Sequence, residues 1–260
     1  MKIQDLNSYK HIDICCNTKF KNKHIDDVLE DSKNNNVLPI VVSGGIKGNQ
    51  YVNSITKFPI TLGIHPHSAK DVDTFYIENL YNTKKDNLIA FGECGLDYDR
   101  MYSPKEKQLE IFEKQLQIAK ELNKPVILHE RCAVDDFIKI IEKYKPKGVV
   151  HCFTGDKDTV RKYIEMNLYI GITGWITDTR RNQELIESLK YIPLDKLLIE
   201  TDSPYLKPRG YNIEKTKGEN YPKYVKYVLA DIADKLGKDE EGLREFVFRN
   251  TCNLFRLEEE

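Results

Sequence analysis

Four side chains that can bind a metal ion stand at the ends of apolar runs far apart in the sequence. They are Glu93 in LIAFGE, His129 in PVILHE, His151 in GVVHCF and Asp202 in LLIETD. Neutral imidazole suits Zn²⁺, and carboxylate adds affinity for Mn²⁺ or Mg²⁺. A bound ion lowers the pKa of a coordinated water and polarises a phosphoryl or carbonyl oxygen. Together the four predict metal-assisted hydrolysis, with Glu93 and Asp202 as the catalytic acids; Asp202 binds the ion, orients the water or takes its proton.

Each of these residues also has an ordinary structural explanation. A single histidine at a strand end is more often hydrogen-bonded within the protein than bound to a metal. Glu93 alone can pair with Arg131, and Asp202 alone can cap the turn that follows it. The joint pattern of two acids and two histidines favours the metal site. His11 and His24 keep the structural explanation, since one precedes a strand and the other opens a helix.

Eight short apolar runs must position these side chains. The runs are rich in Val, Ile and Leu and mostly continuous, which is typical of strands buried on both faces. They lie at 11–16, 38–44, 59–64, 88–93, 125–130, 148–153, 168–173 and 197–202. Alternation with helices predicts a single α/β domain over residues 1–260, an all-parallel (β/α)8 TIM barrel. An open doubly wound sheet is the alternative, but no GxGxxG follows the first run. Barrels place their chemistry at the C-terminal ends of the strands.

The clearest helix is predicted over 103–125, where apolar residues recur every three or four positions from Leu109 to Leu122. We expect Ser103 to cap its start and Pro104 to occupy its first position. Further helices are predicted at 24–35, 48–57, 73–82, 133–144, 156–166, 182–191 and 221–236, with a last one near 240–249.

Other polar residues at strand ends are candidates for the pocket. His65 and His67 stand in GIHPH, after the third run. Asp13, within the first run, is either a supporting acid behind the site or a buried structural one. Asn17 either contacts metal or substrate or merely ends the strand.

Basic and aromatic residues after the later strands are candidates for substrate contacts. Arg131 is well placed to bind a phosphate. Trp175 either stacks a base or packs in the core or a loop. Arg180 and Arg181 either hold phosphate or begin a solvated helix. Lys207 and Arg209, in the irregular stretch 203–220, are weaker candidates for a phosphate contact, and we expect them to serve solubility instead.

Composition limits the class of protein. The 40 basic and 41 acidic side chains give a formal charge of −1, which is no broad footprint for nucleic acid but allows a local basic rim. The six cysteines form no CxxC and mostly lie in or beside apolar runs, which is typical of reduced thiols. No run approaches the roughly 20 apolar residues of a membrane span, and no signal core precedes the first strand. We expect a cytoplasmic or nuclear monomer with no membrane partner.

The sequence resembles the TatD family of metal-dependent deoxyribonucleases, within the amidohydrolase-like barrels. The matching segments, in the family's order, are GIHPH (63–67), FGECGLDY (91–98), NKPVILHERCA (123–133), VVHCFTG (149–155), YIGITGWITDTRR (169–181) and LLIETDSPYLKPR (197–209). The resemblance implies a (β/α)8 barrel that hydrolyses phosphodiester bonds in DNA with one or two divalent ions, Mg²⁺, Mn²⁺ or Zn²⁺.

The same resemblance implies a ligand set and one departure from the family. Glu93, His129 and His151 would be the ligands, Asp202 a ligand or acid/base, and His65 and His67 pocket residues. Many members carry His-x-His at the end of the first strand, where this chain has Cys15 and Asn17. The departure concerns the second metal: that site is absent, weak or filled only with substrate. Cys15 is either a soft ligand or a packing residue.

The predicted function is a nuclease acting on single-stranded DNA or DNA ends, with the 3′-to-5′ direction implied by the resemblance. One alternative is a metal-dependent deacylase, such as one that removes D-amino acids from tRNA, since metal-activated water also attacks carbonyls. Another is a non-catalytic scaffold on a degenerate barrel, which the missing histidine pair would fit.

Overall fold

A computed structural model describes residues 1–83, 85–214 and 216–260 of the chain. It contains an eight-stranded parallel sheet in which each strand pairs with the next one along the chain. The sheet strands are β2 (His11–Cys16), β3 (Val37–Val41), β4 (Ile60–Leu62), β5 (Leu88–Asp97), β6 (Val126–Arg131), β7 (Gly148–Val150), β8 (Tyr169–Ile172) and β9 (Leu197–Ile199). A short parallel pair outside this sheet, which the sequence did not predict, joins β1 (Lys2–Ile3) to β10 (Glu258–Glu259).

Helices follow every strand of the sheet and cover its outside. They are α1 (Ile25–Asn34), α2 (Ile46–Val52), α3 (Thr74–Tyr81), α4 (Lys105–Glu121), α5 (Val134–Tyr144), α6 (Lys157–Glu165), α7 (Gln183–Leu189), α8 (Val225–Leu236) and α9 (Glu240–Phe255). The predicted helices are all present, although their ends differ by up to six residues. None of the helices in the described parts of the chain is both long and apolar enough to cross a bilayer.

The first and last strands of the sheet meet, which makes it a nearly closed barrel. Cys16 at the end of β2 forms a parallel bridge with Ser203, beyond the end of β9. The backbone N–H of Asn17 donates to the carbonyl of Ser203 at 2.9 Å. These contacts are the seam of the barrel, and the prediction of a (β/α)8 architecture is confirmed.

The strands are buried on both faces, as their continuous apolar sequences predict. All five residues of β3 and all ten of β5 are buried. On the outer layer, α5 turns Phe137, Ile140 and Ile141 toward the sheet. Each such side chain contributes roughly 1.5–3 kcal/mol through removal of apolar area from water. The barrel thus rests on a double hydrophobic layer, with its polar residues gathered where the strands end.

Strand β5 is longer than the sequence indicated. The prediction that it ends on Glu93 is wrong, because pairing with β6 continues from Cys94 to Asp97 after a register shift. Gly95 makes this possible, since its φ is +153° and a Cβ there would overlap the carbonyl oxygen of His129. The close approach places two acids, Glu93 and Asp97, along one strand at the barrel mouth.

The start of α4 also differs from the prediction. Its N-cap is Pro104, and the Ser103 hydroxyl instead donates to the His67 carbonyl and accepts from the Lys70 N–H. The capping role predicted for Ser103 is therefore wrong: the hydroxyl anchors the segment that carries His67.

Two buried glutamines seven positions apart on α4 hold the ends of two strands. Gln108 accepts from the Asp97 N–H at 2.8 Å and donates to the Asp97 carbonyl at 3.1 Å. Gln115 does the same for Ile64, at 2.7 and 3.0 Å. Because buried backbone groups need such partners, these amides fix Asp97 and the residue before His65.

Candidate active site

The strand ends bring four possible metal donors from distant parts of the chain into one group. One donor atom each from Cys15, Glu93, His151 and Asp202 lies within 4.8 Å of all the others. The Cys15 sulfur is 3.3 Å from Glu93 Oε1 and 3.9 Å from Asp202 Oδ1. His151 Nε2 is 3.5 Å from Glu93 Oε1. Three of the four predicted ligands thus share one small space, together with a thiol.

His129, the fourth predicted ligand, lies directly beside this group. Its Nδ1 is 3.1 Å from His151 Nε2 and 3.3 Å from His65 Nε2. Its Nε2 is 3.5 Å from Asp97 Oδ2 and makes no hydrogen bond to any residue that the structure describes. An imidazole held in this way by a carboxylate on its far nitrogen presents the other nitrogen to the pocket.

His65 and His67 extend the row of imidazoles along the same wall. The ring centroid of His65 lies 4.2 Å from that of His67 and 4.3 Å from that of His129. His67 Nε2 is 2.7 Å from Asp97 Oδ2, and the exposed ring of Tyr102 meets His67 edge-on at 4.8 Å. Burial lowers the pKa of His65 well below its ordinary value, which keeps that ring neutral.

A buried carboxylate that the sequence analysis did not select stands behind His151. Glu200 is fully buried, and its Oε2 lies 3.4 Å from His151 Nδ1. Its other oxygen accepts the N–H of Cys152. Neither His151 Nδ1 nor Glu200 Oε2 forms a hydrogen bond within the described part of the chain. This pairing leaves His151 Nε2 as the nitrogen that faces Glu93.

Asp13 and Asn17 support the opposite side of the pocket through the seam. Asn17 Nδ2 donates to Asp202 Oδ1 at 2.9 Å, which orients that carboxylate. Asp13 is fully buried and accepts from the N–H and hydroxyl of Thr201 and from the N–H of Cys15. Burial raises the pKa of Asp13 to about 8. Asp13 therefore lies behind the donor group, whereas Asn17 touches it.

Buried negative charge dominates the electrostatics of this pocket. Burial, with Glu93 and Glu200 nearby, raises the pKa of Asp202 well above its ordinary value, although His151 opposes the shift. Burial also disfavours protonation of His151, but Glu93 and Glu200 outweigh it and raise the pKa of the imidazole to about 10. A pocket that gathers the carboxyl groups of Glu93, Glu200 and Asp202 around His151 is complementary to a divalent cation.

Comparison with known proteins identifies the family. A family model described as TatD related DNase matches residues 12–256 of the chain. The chain belongs to this family.

Named relatives and solved structures agree with this membership. The 3′-5′ ssDNA/RNA exonuclease TatD of Pantoea vagans is 41% identical over 201 residues, 76% of this chain and 77% of that protein. The TatD homologue YJJV of Escherichia coli K12 superposes with a TM-score of 0.83 at 24% identity, covering 96% and 99% of the two chains. A TatD family hydrolase of Entamoeba histolytica gives a TM-score of 0.82 at 24% identity, covering 98% and 99%. Fold, family and donor group together indicate a divalent metal.

In this TatD-family chain Cys15, on β2, and Asn17, directly after that strand, have separate surroundings. Cys15 is fully buried inside the donor group, whereas Asn17 binds Asp202 at the seam. The sulfur of Cys15 lies within 4.8 Å of donor atoms from Glu93, His151 and Asp202, so both the packing and the ligand role left open by the sequence are compatible with its position.

Arg131 and Trp175 reach the mouth of the barrel but have partners of their own. Arg131 is half-exposed and pairs with Asp99 at 2.7 Å, so the Glu93–Arg131 pair considered from the sequence is not formed. The Trp175 indole is half-buried, donates to the Arg181 carbonyl at 3.1 Å and has the Arg181 guanidinium 3.6 Å from its ring centroid. One face of the indole is therefore covered by an arginine.

The two acids missed in the sequence, Asp97 and Glu200, carried a usable signal. Asp97 follows Glu93 by four positions, and Glu200 precedes Asp202 by two. Glu93 and Asp97 lie in β5, where residues an even number apart share a face, whereas Glu200 and Asp202 lie just beyond the end of β9. An acid at such a spacing from a candidate ligand is expected to face the same pocket.

Proposed function

We propose that this chain is a divalent-metal-dependent nuclease that removes nucleotides from single-stranded DNA or DNA ends in the 3′-to-5′ direction. The observation that carries the proposal is the convergence of Cys15, Glu93, His151 and Asp202 in one buried, negatively charged pocket. The relative of Pantoea vagans, named a 3′-5′ ssDNA/RNA exonuclease, supports the substrate class and the direction.

The residues present fit a divalent ion. Glu93, His151 and Asp202 would hold it, His129 would approach through Nδ1, and Cys15 would add a sulfur donor. The partnerless buried atoms His151 Nδ1 and His129 Nε2 face carboxylates, as metal-bound histidines do. A mixed sulfur, nitrogen and oxygen set favours Zn²⁺ or Mn²⁺ over Mg²⁺. These donors are sufficient to coordinate one ion, and a second ion would need additional ligands.

When bound, the ion supplies a Lewis acid and a water of lowered pKa. The protein's own side chains orient the reacting groups and exchange the protons. Asp202 is held through Oδ1 by Asn17 and would take the proton of the attacking water with Oδ2 once a bound cation offsets the burial and the neighbouring carboxylates that raise its pKa. Glu200 fixes the tautomer of His151. His67 and Arg131, at the mouth, offer donors to the non-bridging phosphate oxygens.

The function is tested by metal removal and return. Protein stripped with EDTA is expected to be inactive, and added Mn²⁺, Zn²⁺ or Mg²⁺ should restore hydrolysis. Single-stranded DNA labelled at its 5′ end should give a ladder of shortening products, whereas 3′-labelled DNA should release its label first. A D-aminoacyl-tRNA is assayed in parallel. Deacylation without nucleotide release would reject the nuclease proposal in favour of a deacylase. Absence of both metal binding and hydrolysis would favour the non-catalytic scaffold.

Glu200→Gln is expected to weaken metal binding by about 10- to 100-fold, the usual effect of losing a carboxylate behind a metal-bound histidine. Isothermal titration of the stripped protein with Zn²⁺ measures the change. Glu187→Gln, on the exposed face of α7, is the matched control and should bind as the parent does. Equal affinities for all three proteins would contradict a role for Glu200 in holding His151.

The single domain over residues 1–260, the monomeric state and the cytoplasmic or nuclear location stay predictions and belong to this proposal.

A further inference from the structure

Three arginines at the barrel mouth surround one buried carboxylate. Asp178 has 3% of its side chain exposed, and both its oxygens accept from Arg180 at 2.7 Å. Arg181 Nε lies 3.0 Å away and Arg209 Nε 3.3 Å away. The hydrogen bonds from Arg180 hold the pKa of Asp178 well below its usual range. We call these four residues the Asp178 cluster.

The charge of the Asp178 cluster is not balanced. One carboxylate faces three guanidinium groups, and within the described residues no other acid forms an ion pair with any of the three. The side chains of Arg180, Arg181 and Arg209 remain 63%, 48% and 58% exposed. Two positive charges therefore face solvent from a fixed position, in a chain whose formal net charge is −1.

The Asp178 cluster stands next to the candidate active site. Its first three residues follow β8, which lies between β7, before His151, and β9, before Asp202. Arg209 comes from the loop after β9, and its N–H donates to the Thr177 hydroxyl at 2.8 Å. A Cβ at Gly174 would overlap the Leu206 carbonyl, so the two loops are tightly packed.

The guanidinium groups are held in place before any ligand arrives. Asp178 takes both donors of one edge of Arg180, and the Arg181 guanidinium lies flat on the Trp175 ring. A planar fork with remaining free donors matches the oxygens of a phosphate, and its restricted motion lowers the entropy lost on binding.

We propose that the Asp178 cluster binds backbone phosphates of the single strand next to the scissile bond, without reading its sequence. This inference rests on the proposed nuclease function and adds the site that holds the rest of the strand. Such contacts give affinity and salt dependence but no base preference.

Binding is measured first without catalysis. Fluorescence anisotropy with labelled oligothymidylate in EDTA, over a range of NaCl concentrations, gives the dissociation constant and its salt slope. Arg180→Ala and Arg209→Ala should each weaken binding by about tenfold or more, as expected for one charge-assisted contact. Each should also reduce the log–log salt slope by about 0.7. This arm needs no hydrolysis, so it tests the cluster even if the nuclease proposal fails.

Catalysis then separates strand binding from chemistry. The double variant Arg180→Ala/Arg209→Ala should lose about 100-fold in kcat/KM on oligothymidylate, from two contacts of about tenfold each. It should keep its rate on bis(4-nitrophenyl) phosphate within about twofold, because that diester has no neighbouring phosphates to bind.

Arg161→Ala provides the control. Arg161, on α6, also stacks on an aromatic ring, that of Tyr191, at 4.1 Å and pairs with Asp158. It should bind and cleave as the parent does. Arg180→Lys, which keeps the charge, should retain most of the salt slope and covers the case in which an alanine variant unfolds. Alanine variants with the same salt slope as the parent would overturn the proposal. So would an equal loss of kcat/KM on oligothymidylate and on bis(4-nitrophenyl) phosphate.

Discussion

Asp202→Asn is expected to lower the single-turnover rate on single-stranded DNA by about 10³-fold or more at saturating metal, within the range for a lost general base. The amide keeps the size of the carboxylate and can still accept the hydrogen bond from Asn17, but it cannot take a proton. Asp195→Asn is the matched control, since Asp195 is exposed just before β9, at the opposite end of the same strand. A rate within tenfold of the parent would remove Asp202 from the chemistry.

The same variant separates catalysis from folding. Burial and the neighbouring carboxylates raise the pKa of Asp202 in the folded protein, so its ionised form costs stability above the ordinary pKa of an aspartate. Replacing it by a neutral amide should leave the thermal midpoint of the metal-free protein at pH 7 unchanged or higher. An inactive variant that is also less stable would point to a structural defect instead.

Glu93→Gln is expected to abolish both metal binding and hydrolysis, each by at least about 10²-fold, because it removes a charged donor from the centre of the group. Metal content after dialysis, measured by mass spectrometry, should fall from near one ion per chain to background. The loss differs from that of Asp202→Asn, for which saturating metal should restore the bound ion but not the rate, because the amide oxygen can still coordinate the ion and cannot take a proton.

Glu130→Gln is the matched control for Glu93. Glu130 also lies in the C-terminal half of a barrel strand, but it follows His129 and points to the outer layer, where it accepts from the Ala133 N–H and the Tyr163 hydroxyl. A glutamine can satisfy both partners, so metal content and rate should match the parent. If Glu93→Gln kept its ion and Glu130→Gln lost it, the assignment of Glu93 to the pocket and of Glu130 to the outer layer would be wrong.

The sequence was sufficient for the barrel and for most of the pocket because both depend on local rules. Continuous Val, Ile and Leu runs predicted buried parallel strands, and the ends of those strands predicted where Glu93, His151 and Asp202 would meet. What it missed depends on tertiary contacts. The extension of β5 needs the approach of Gly95 to His129, which no periodicity reports.

The sequence was also insufficient to predict which hydrogen-bond or ion-pair partner a polar side chain would take. Ser103 precedes the start of α4 in the sequence, but in the fold its hydroxyl bonds the His67 carbonyl and the Lys70 N–H instead. Arg131 had Glu93 as a conceivable partner and binds Asp99. Likewise, the sequence around Cys15 indicates a buried apolar residue of a strand, whereas in the structure its sulfur points into the donor group. A propensity describes a residue alone, whereas these outcomes are decided by which groups arrive beside it.

The seam between Asn17 and Ser203 has a consequence during synthesis on the ribosome. A nascent chain that has reached residue 196 already carries Glu93, His129 and His151, yet it lacks β9 and Asp202. Because the first strand of the sheet meets the segment that follows the last, the donor group is complete only when β9 and Asp202 are in place. A chain truncated before β9 therefore lacks both the closing strand of the barrel and Asp202.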